Sequence, residues 1–506
     1  MRRKKSAPAS APRRRPAGTP DGPTVACWED DPGDPKSQPP LTAIIVPVPN
    51  QSAQPLPYKL GGKAPVPQVY PPGIINFVYY ATASALRRTA DFWGGIVPTG
   101  TSWHIGKILP VNIDSGVDLN AFYTRGGGGE TPGLHFFHAS VGGRVFFSGE
   151  SPDVCCHEMG HAVLDALRPQ LFDAQTIEAA AFHESFGDMS ALLSALQVPS
   201  FRQTLLTETH GTLNRASRLS RLAEQLGAAI RDGHPDAVDR DCLRNAANSF
   251  FYTDPQTLPP GAPASQLSSE PHSFSRVFTA GFLDALSGMF KTQGGTPSSD
   301  GLLQVSQDIA RLLVASVQAA AVVPDYYSQV AAQLLVAGEA APFNGKYRDV
   351  LKSSFVRRGI LSLQAAATLG GITRHPVRAV AETGAGEPSP KTRQLPSAAI
   401  SATQYGLKKS VLRVHTASEP KHFAVTGASH LTGPADPRSA QSAAESYTED
   451  LFQRGHVDVG KHGHPTGALV HPHSFKSHII VEDKGELLLK RMAFDCGYHF
   501  AFDQSY

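Results

Sequence analysis

The chain has 506 residues, 41% hydrophobic and 18% charged, with 46 Lys and Arg set against 44 Asp and Glu for a formal net charge of +2. That content supports a sizeable apolar core, and the near-balance of charge excludes a polyanionic partner as the main binding device. No stretch has the length and apolarity of a signal-peptide core or a membrane span, so a cytoplasmic protein is expected, with no nucleic-acid partner beyond weak contact through a basic tail.

Residues 1–70 are rich in Pro, Ser and charge, carry the basic clusters Met1-Arg2-Arg3-Lys4-Lys5 and Arg13-Arg14-Arg15, and are expected to be largely disordered. From Pro71 the pattern becomes regular. Periodicity predicts a helix over 74–90 and strands over 109–113 and 119–123, with further strand signals at 136–137 and 145–147. The glycines at 126–129 lack the strand, helix and Lys context of a phosphate loop and are read as a surface turn.

The next element carries chemistry. Ser151 is a good helix N-cap, Pro152 suits the first turn, Asp153 suits the positive end, and Pro169 stops the run. Inside it lies Cys155-Cys156-His157-Glu158-Met159-Gly160-His161. Positions i and i+4 of a helix share a face, so His157 and His161 can present two imidazoles to one tetrahedral cation while Glu158 flanks the open position as general base. In the following helix, Glu184 sits amid Ala179-Ala180-Ala181-Phe182 and Phe186, where an unpaired carboxylate is costly and a metal would satisfy it. Asp188, one turn on, is placed to accept the second ring N–H of a zinc-bound histidine and so fix its tautomer.

With its His-Glu-x-x-His helix followed by Glu-x-x-x-Asp on the next, the chain resembles the thermolysin-like gluzincins, which are zinc metallopeptidases. Further matches extend the resemblance. Leu119-Asn120-Ala121-Phe122-Tyr123 is similar to the family's edge strand, which implies that Asn120 and Ala121 hold an extended substrate peptide. Asp241-Cys242-Leu243-Arg244, followed by Tyr252-Thr253-Asp254-Pro255, implies that Arg244 grips a substrate carbonyl, and Glu270-Pro271-His272 implies that His272 stabilises the oxyanion.

The departures are specific. No Tyr lies between His161 and Glu184, His183 replaces the family's Asn, and Ser273-Phe274-Ser275 replaces Asn-Ser-Gly, leaving Glu270 as the substitute for the acid that orients His272. Asp153 matches a structural-calcium carboxylate but Ala195 replaces another, so zinc without calcium is expected.

The resemblance implies an α+β, two-lobe metallopeptidase. Residues 71–172 form a mixed α/β N-terminal lobe ending in the zinc helix, and 173–365 form an α-helical C-terminal lobe, with helical patterns at 219–231, 277–290, 302–321 and 326–337. A linker is expected over 366–397 and a β-rich accessory region over 398–506, including a hairpin about Asp483-Lys484-Gly485. There, His456, His462, His464, His471, His473 and His478 are expected on surface loops rather than in a second metal site.

The five cysteines are few, scattered and odd in number, which fits a reducing compartment, and Cys155 and Cys156 are assigned to helix packing. The expected function is zinc-dependent hydrolysis of a peptide or protein substrate by metal-activated water with Glu158 as base. An endopeptidase is preferred because the Gly-x-Met-Glu-Asn segment of aminopeptidase relatives is missing. The competing reading is a catalytically silent zinc scaffold or binding module, its fourth metal position closed, for instance by Cys156.

Overall fold

The computed structural model describes residues 22–33, 43–362, 394–419, 439–464 and 475–497, a mixed α+β architecture. Most of the expected linker, both N-terminal basic clusters, His471 and His473 lie outside the described residues. No described helix is long and apolar enough to cross a membrane.

Three strands lie in the segment expected to be disordered: β1 (Thr24–Cys27), β2 (Ile44–Pro47) and β3 (Tyr58–Leu60). The Pro-rich composition hides a handful of core residues. Val25, Leu56, Tyr58 and Leu60 are buried, and the Tyr58 hydroxyl donates to the Ala83 carbonyl at 2.5 Å. Then come α1 (Ile75–Gly94), β4 (Leu109–Asn112), β5 (Ala121–Thr124), β6 (Gly133–Phe136), β7 (His138–Val141) and β8 (Arg144–Phe147).

The motif helix is α2 (Pro152–Leu167), started by Ser151, whose hydroxyl accepts from Val154 N at 3.3 Å. After the short α3 (Gln170–Asp173) comes α4 (Ile177–Ala195). Every residue of α2 and of α4 is buried. A helix covered on all sides must satisfy its polar side chains internally, which turns each one into a question about partners. The pair cross closely through glycine. A Cβ on Gly160 would lie 2.8 Å from Ser190 Cβ and 2.9 Å from Gly187 Cα. Gly160→Ala should therefore cost about 1–3 kcal/mol by overpacking, read as a lower urea midpoint at unchanged m-value.

The elements that follow are α5 (Pro199–Thr209), β9 (Arg221–Leu222), α6 (Glu224–Arg231), β10 (Arg244–Asn245), α7 (Pro271–Lys291), α8 (Ser299–Ala319), α9 (Tyr326–Glu339) and α10 (Arg348–Arg357). The helix expected over 219–231 begins late. Leu222 pairs with Arg244, and Ala223 takes a left-handed φ of 50° that breaks the run before Glu224.

The C-terminal region contributes β11 (Ser397–Ser401), β12 (Val411–His415), α11 (Ala440–Gln453), β13 (Val457–Asp458), β14 (His478–Asp483), β15 (Glu486–Arg491) and β16 (Ala493–Asp495). One sheet runs β11-β12-β15-β14-β13, and its hairpin turns at Lys484 and Gly485, both at positive φ. The other runs β16-β5-β6-β4-β3. The last described strand, β16, thus comes from the region after 398 but pairs in the sheet that holds β3 to β6. Two of the histidines assigned to surface loops are interior: His456 and His478 are buried, the latter within β14.

Burial also gathers acids at the start of α2. Asp31 accepts from Ser151 Oγ, from Gly33 N at 2.9 Å and from Gln225 N at 2.8 Å, while Asp153 accepts from Ala223 N at 3.0 Å. Desolvation pushes the Asp31 carboxyl up to about 6, and desolvation followed by the Asp31 charge pushes Asp153 well above the carboxylate range. In this window the folded chain keeps protons that the unfolded chain releases, so these groups cost stability as pH rises from about 4 through 6 and beyond. Asp153→Asn should show a smaller fall in urea midpoint between pH 5 and pH 7.5 than wild type. An equal fall in both proteins contradicts the assignment.

Candidate metal centre

Two buried helices bring four of the expected residues together. On α2, the His157 and His161 rings lie 4.7 Å apart, and ligand atoms of His157, Glu158 and His161 fall within 4.8 Å of one another. From α4, the Glu184 carboxylate reaches them, with Oε2 3.3 Å from His157 Nε2 and Oε1 3.8 Å from His161 Nε2. Ligands about 2.0–2.1 Å from one tetrahedral ion stand roughly 3.4 Å apart.

The hydrogen-bond accounting gives the fit test for a metal. His157 Nε2, His161 Nε2, Glu184 Oε2 and both Glu158 carboxylate oxygens are buried without a well-formed hydrogen bond, although His157 Nε2 and Glu184 Oε2 face each other at 3.3 Å. A buried polar atom without a partner is costly, and several on facing side chains are a place for a cation. The residues present fit zinc.

The opposite face of each imidazole is held. His157 Nδ1 contacts Asp188 Oδ1 at 3.0 Å, and Asp188 is held in turn by Arg244, with Nη2 to Oδ1 at 2.8 Å and Nε to Oδ2 at 3.3 Å. Burial would raise the Asp188 carboxyl, but Arg244 and His157 outweigh it and hold it far below its usual range. His161 Nδ1 meets His183 Nδ1 at 3.1 Å. The tautomer in which His161 donates there and His183 accepts is the one that would leave the His161 Nε2 lone pair free on the Glu184 side. The sequence reading treated His183 only as a departure from Asn. Gly187 went unread too: a Cβ there would lie 2.6–2.7 Å from three atoms of the His157 ring, so only glycine lets α4 pass it.

Charge at the centre follows from burial. Desolvation pushes the Glu158 carboxyl up to about 8. For His157 desolvation acts downward, but Asp188 and Glu184 outweigh it and lift the imidazole to about 9. A cation held there would take the place of that proton and favour the ionised form of Glu158.

His272 stands in the first turn of α7. Its Nε2 is 3.3 Å from Glu184 Oε2, and its Nδ1 contacts Glu270 Oε1 at 2.6 Å. Glu270 also caps α7 by accepting from Ser273 N at 2.8 Å, so this acid orients the ring.

Asn120 and Ala121 lie across the cleft at the start of β5. Asn120 is buried, and its Oδ1 accepts from Ala121 N at 2.8 Å. The strand is fixed to the end of α2 through Asp165, which accepts from Tyr123 Oη at 2.6 Å and pairs with Arg125. Arg244, committed to Asp188, also borders a cavity of about 120 Å³ with Cys496, Gly497 and His272.

Cys156, assigned to helix packing, lies against α1, where it accepts from Thr89 Oγ1 at 2.9 Å. Cys496 is the thiol beside Glu158, and burial first, then the Glu158 charge, pushes it well above the usual thiol range. No family model matches the chain, and no curated protein matches it.

Proposed function

We propose that this protein is a zinc-dependent peptidase of thermolysin-like, two-lobe architecture that acts in the cytoplasm as an endopeptidase. The observation that carries the reading is the convergence, on one buried spot, of His157 Nε2, His161 Nε2 and Glu184 Oε2 beside the Glu158 carboxylate, none of them in a well-formed hydrogen bond. A fold-stabilising cluster would be expected to satisfy those atoms internally.

His157, His161 and Glu184 are the residues that would hold zinc, which when bound polarises a carbonyl and makes water more acidic. The chain's own groups then divide the work. Glu158 takes a proton from the attacking water and returns it to the departing amine as the C–N bond breaks. His272 donates from Nε2 to the substrate carbonyl oxygen, where negative charge develops, and Glu270 keeps that ring oriented. The β5 edge aligns an extended peptide through main-chain hydrogen bonds. Asp188 and Arg244 hold His157 in the tautomer a metal needs.

The test is metal analysis of the full-length chain. One zinc per chain, lost in His161→Ala, supports the reading; a folded chain that takes up no zinc overturns it.

A further inference from the structure

The strand across the cleft comes from the chain itself. β16 pairs antiparallel with β5, Ala493 opposite Thr124, Phe494 opposite Tyr123 and Asp495 opposite Phe122. The ladder continues where Cys496 N donates to Ala121 O at 2.8 Å. The carbonyl of that same peptide group, Asp495 O, lies 2.5 Å from His272 Nε2. One peptide bond is thus gripped at its N–H by the edge strand and at its oxygen by the proposed oxyanion donor.

Its neighbours are fitted to the cleft. Phe494 stacks on His183 at 4.0 Å and on His161 at 5.2 Å, with Arg491 over its ring at 4.2 Å. Gly497 passes so near Asn120 that a Cβ would lie 2.6 Å from its Cγ and Oδ1. The space left beside Glu184, His272 and Asp495 is about 30 Å³, room for about two waters and not for a second peptide. The Cys496 side chain, 3% exposed, is turned to Glu158.

We propose that residues 493–497 are the chain's own cleft ligand, an aromatic-acidic-small peptide that closes the active site in cis, with the Cys496 thiol in the space where Glu158 must hold its water. The proposal rests on the peptidase reading. It also deepens that reading, because an opened cleft takes extended peptides in this same sense, with an aromatic residue in the His161/His183 pocket and a glycine-sized residue over Asn120. The peptide bond is gripped without being cut, since the thiol occupies the approach to its carbonyl.

The experiment measures alkylation of individual cysteines by peptide mapping, together with hydrolysis of a peptide library, on the full zinc-loaded chain. In wild type, Cys496 should be protected as strongly as Cys155, with little hydrolysis. Gly497→Val drives a side chain into Asn120, and Phe494→Ala removes the aromatic anchor without adding bulk, which covers a folding failure of the first variant. Either should speed Cys496 labelling by about tenfold or more, the factor expected from disturbing one tight contact, with Cys155 still protected and hydrolysis rising in step. Adding Glu158→Gln should abolish the hydrolysis and keep the labelling. Faster labelling without hydrolysis in any zinc-loaded variant supports the cis ligand and counts against the peptidase reading. Wild-type Cys496 that labels as fast as in unfolded chain overturns the proposal. So does full wild-type hydrolysis, or an intact mass showing that residues 496–506 have been cut away.

Discussion

Glu158→Gln, made in the chain opened by Gly497→Val, is expected to lower kcat/KM for peptide hydrolysis by roughly 10²–10⁴-fold while leaving one zinc per chain. The replacement is isosteric and removes only the ability to carry a proton. Because Glu158 is fully buried, with its carboxyl pushed up to about 8 by desolvation, its charge is a cost to the fold, and an isosteric neutral side chain can keep the contact with the Cys496 thiol. The variant should therefore be no less stable than its parent in urea, and a loss of activity cannot be put down to unfolding. A silent zinc scaffold predicts instead that the substitution changes nothing measurable except stability. Activity retained at the parent level would remove Glu158 from the mechanism.

Parts of this arrangement were legible in the sequence because the physics that creates them is local. Ser151, Pro152 and Pro169 bracket α2 by capping and backbone geometry, and i,i+4 spacing alone places His157 beside His161. Glu184 stood out because a carboxylate in an apolar run demands a partner, and the turn at Lys484-Gly485 because it requires positive φ twice. The rest depended on distant packing. Ala493-Phe494-Asp495 is too short and too mixed to read as a strand, and only the exposed edge of β5 makes it one. The strands before residue 70 are three or four residues long, and their few buried side chains, such as Val25, Ala26 and Cys27, are outweighed by the Pro-rich sequence around them. His183 and Gly187 have ordinary helix neighbours, and their meaning appears only when α4 is laid against α2. Cys496 belonged to no motif, since its place beside Glu158 is set by a pairing that spans most of the chain.

The second large effect falls on Asp188, and it separates metal affinity from stability. Asp188→Ala removes the acceptor of His157 Nδ1 and also strands the buried Arg244 guanidinium, which donates to both Asp188 oxygens. Breaking a buried ion pair from one side costs about 3–5 kcal/mol, so the urea midpoint should fall steeply. Loss of the group that orients a ligating imidazole typically weakens zinc binding by about 10–100-fold. The two effects should part company in Asp188→Ala with Arg244→Met, where no charge is left uncompensated. Stability should recover there by most of the loss, while zinc affinity, measured by competition with a chelator, stays at the weakened level because His157 still lacks its partner. Recovery of both together would mean that Asp188 matters only as a counterion to Arg244, and His157 would then owe its orientation to the crowding of its ring against Gly187.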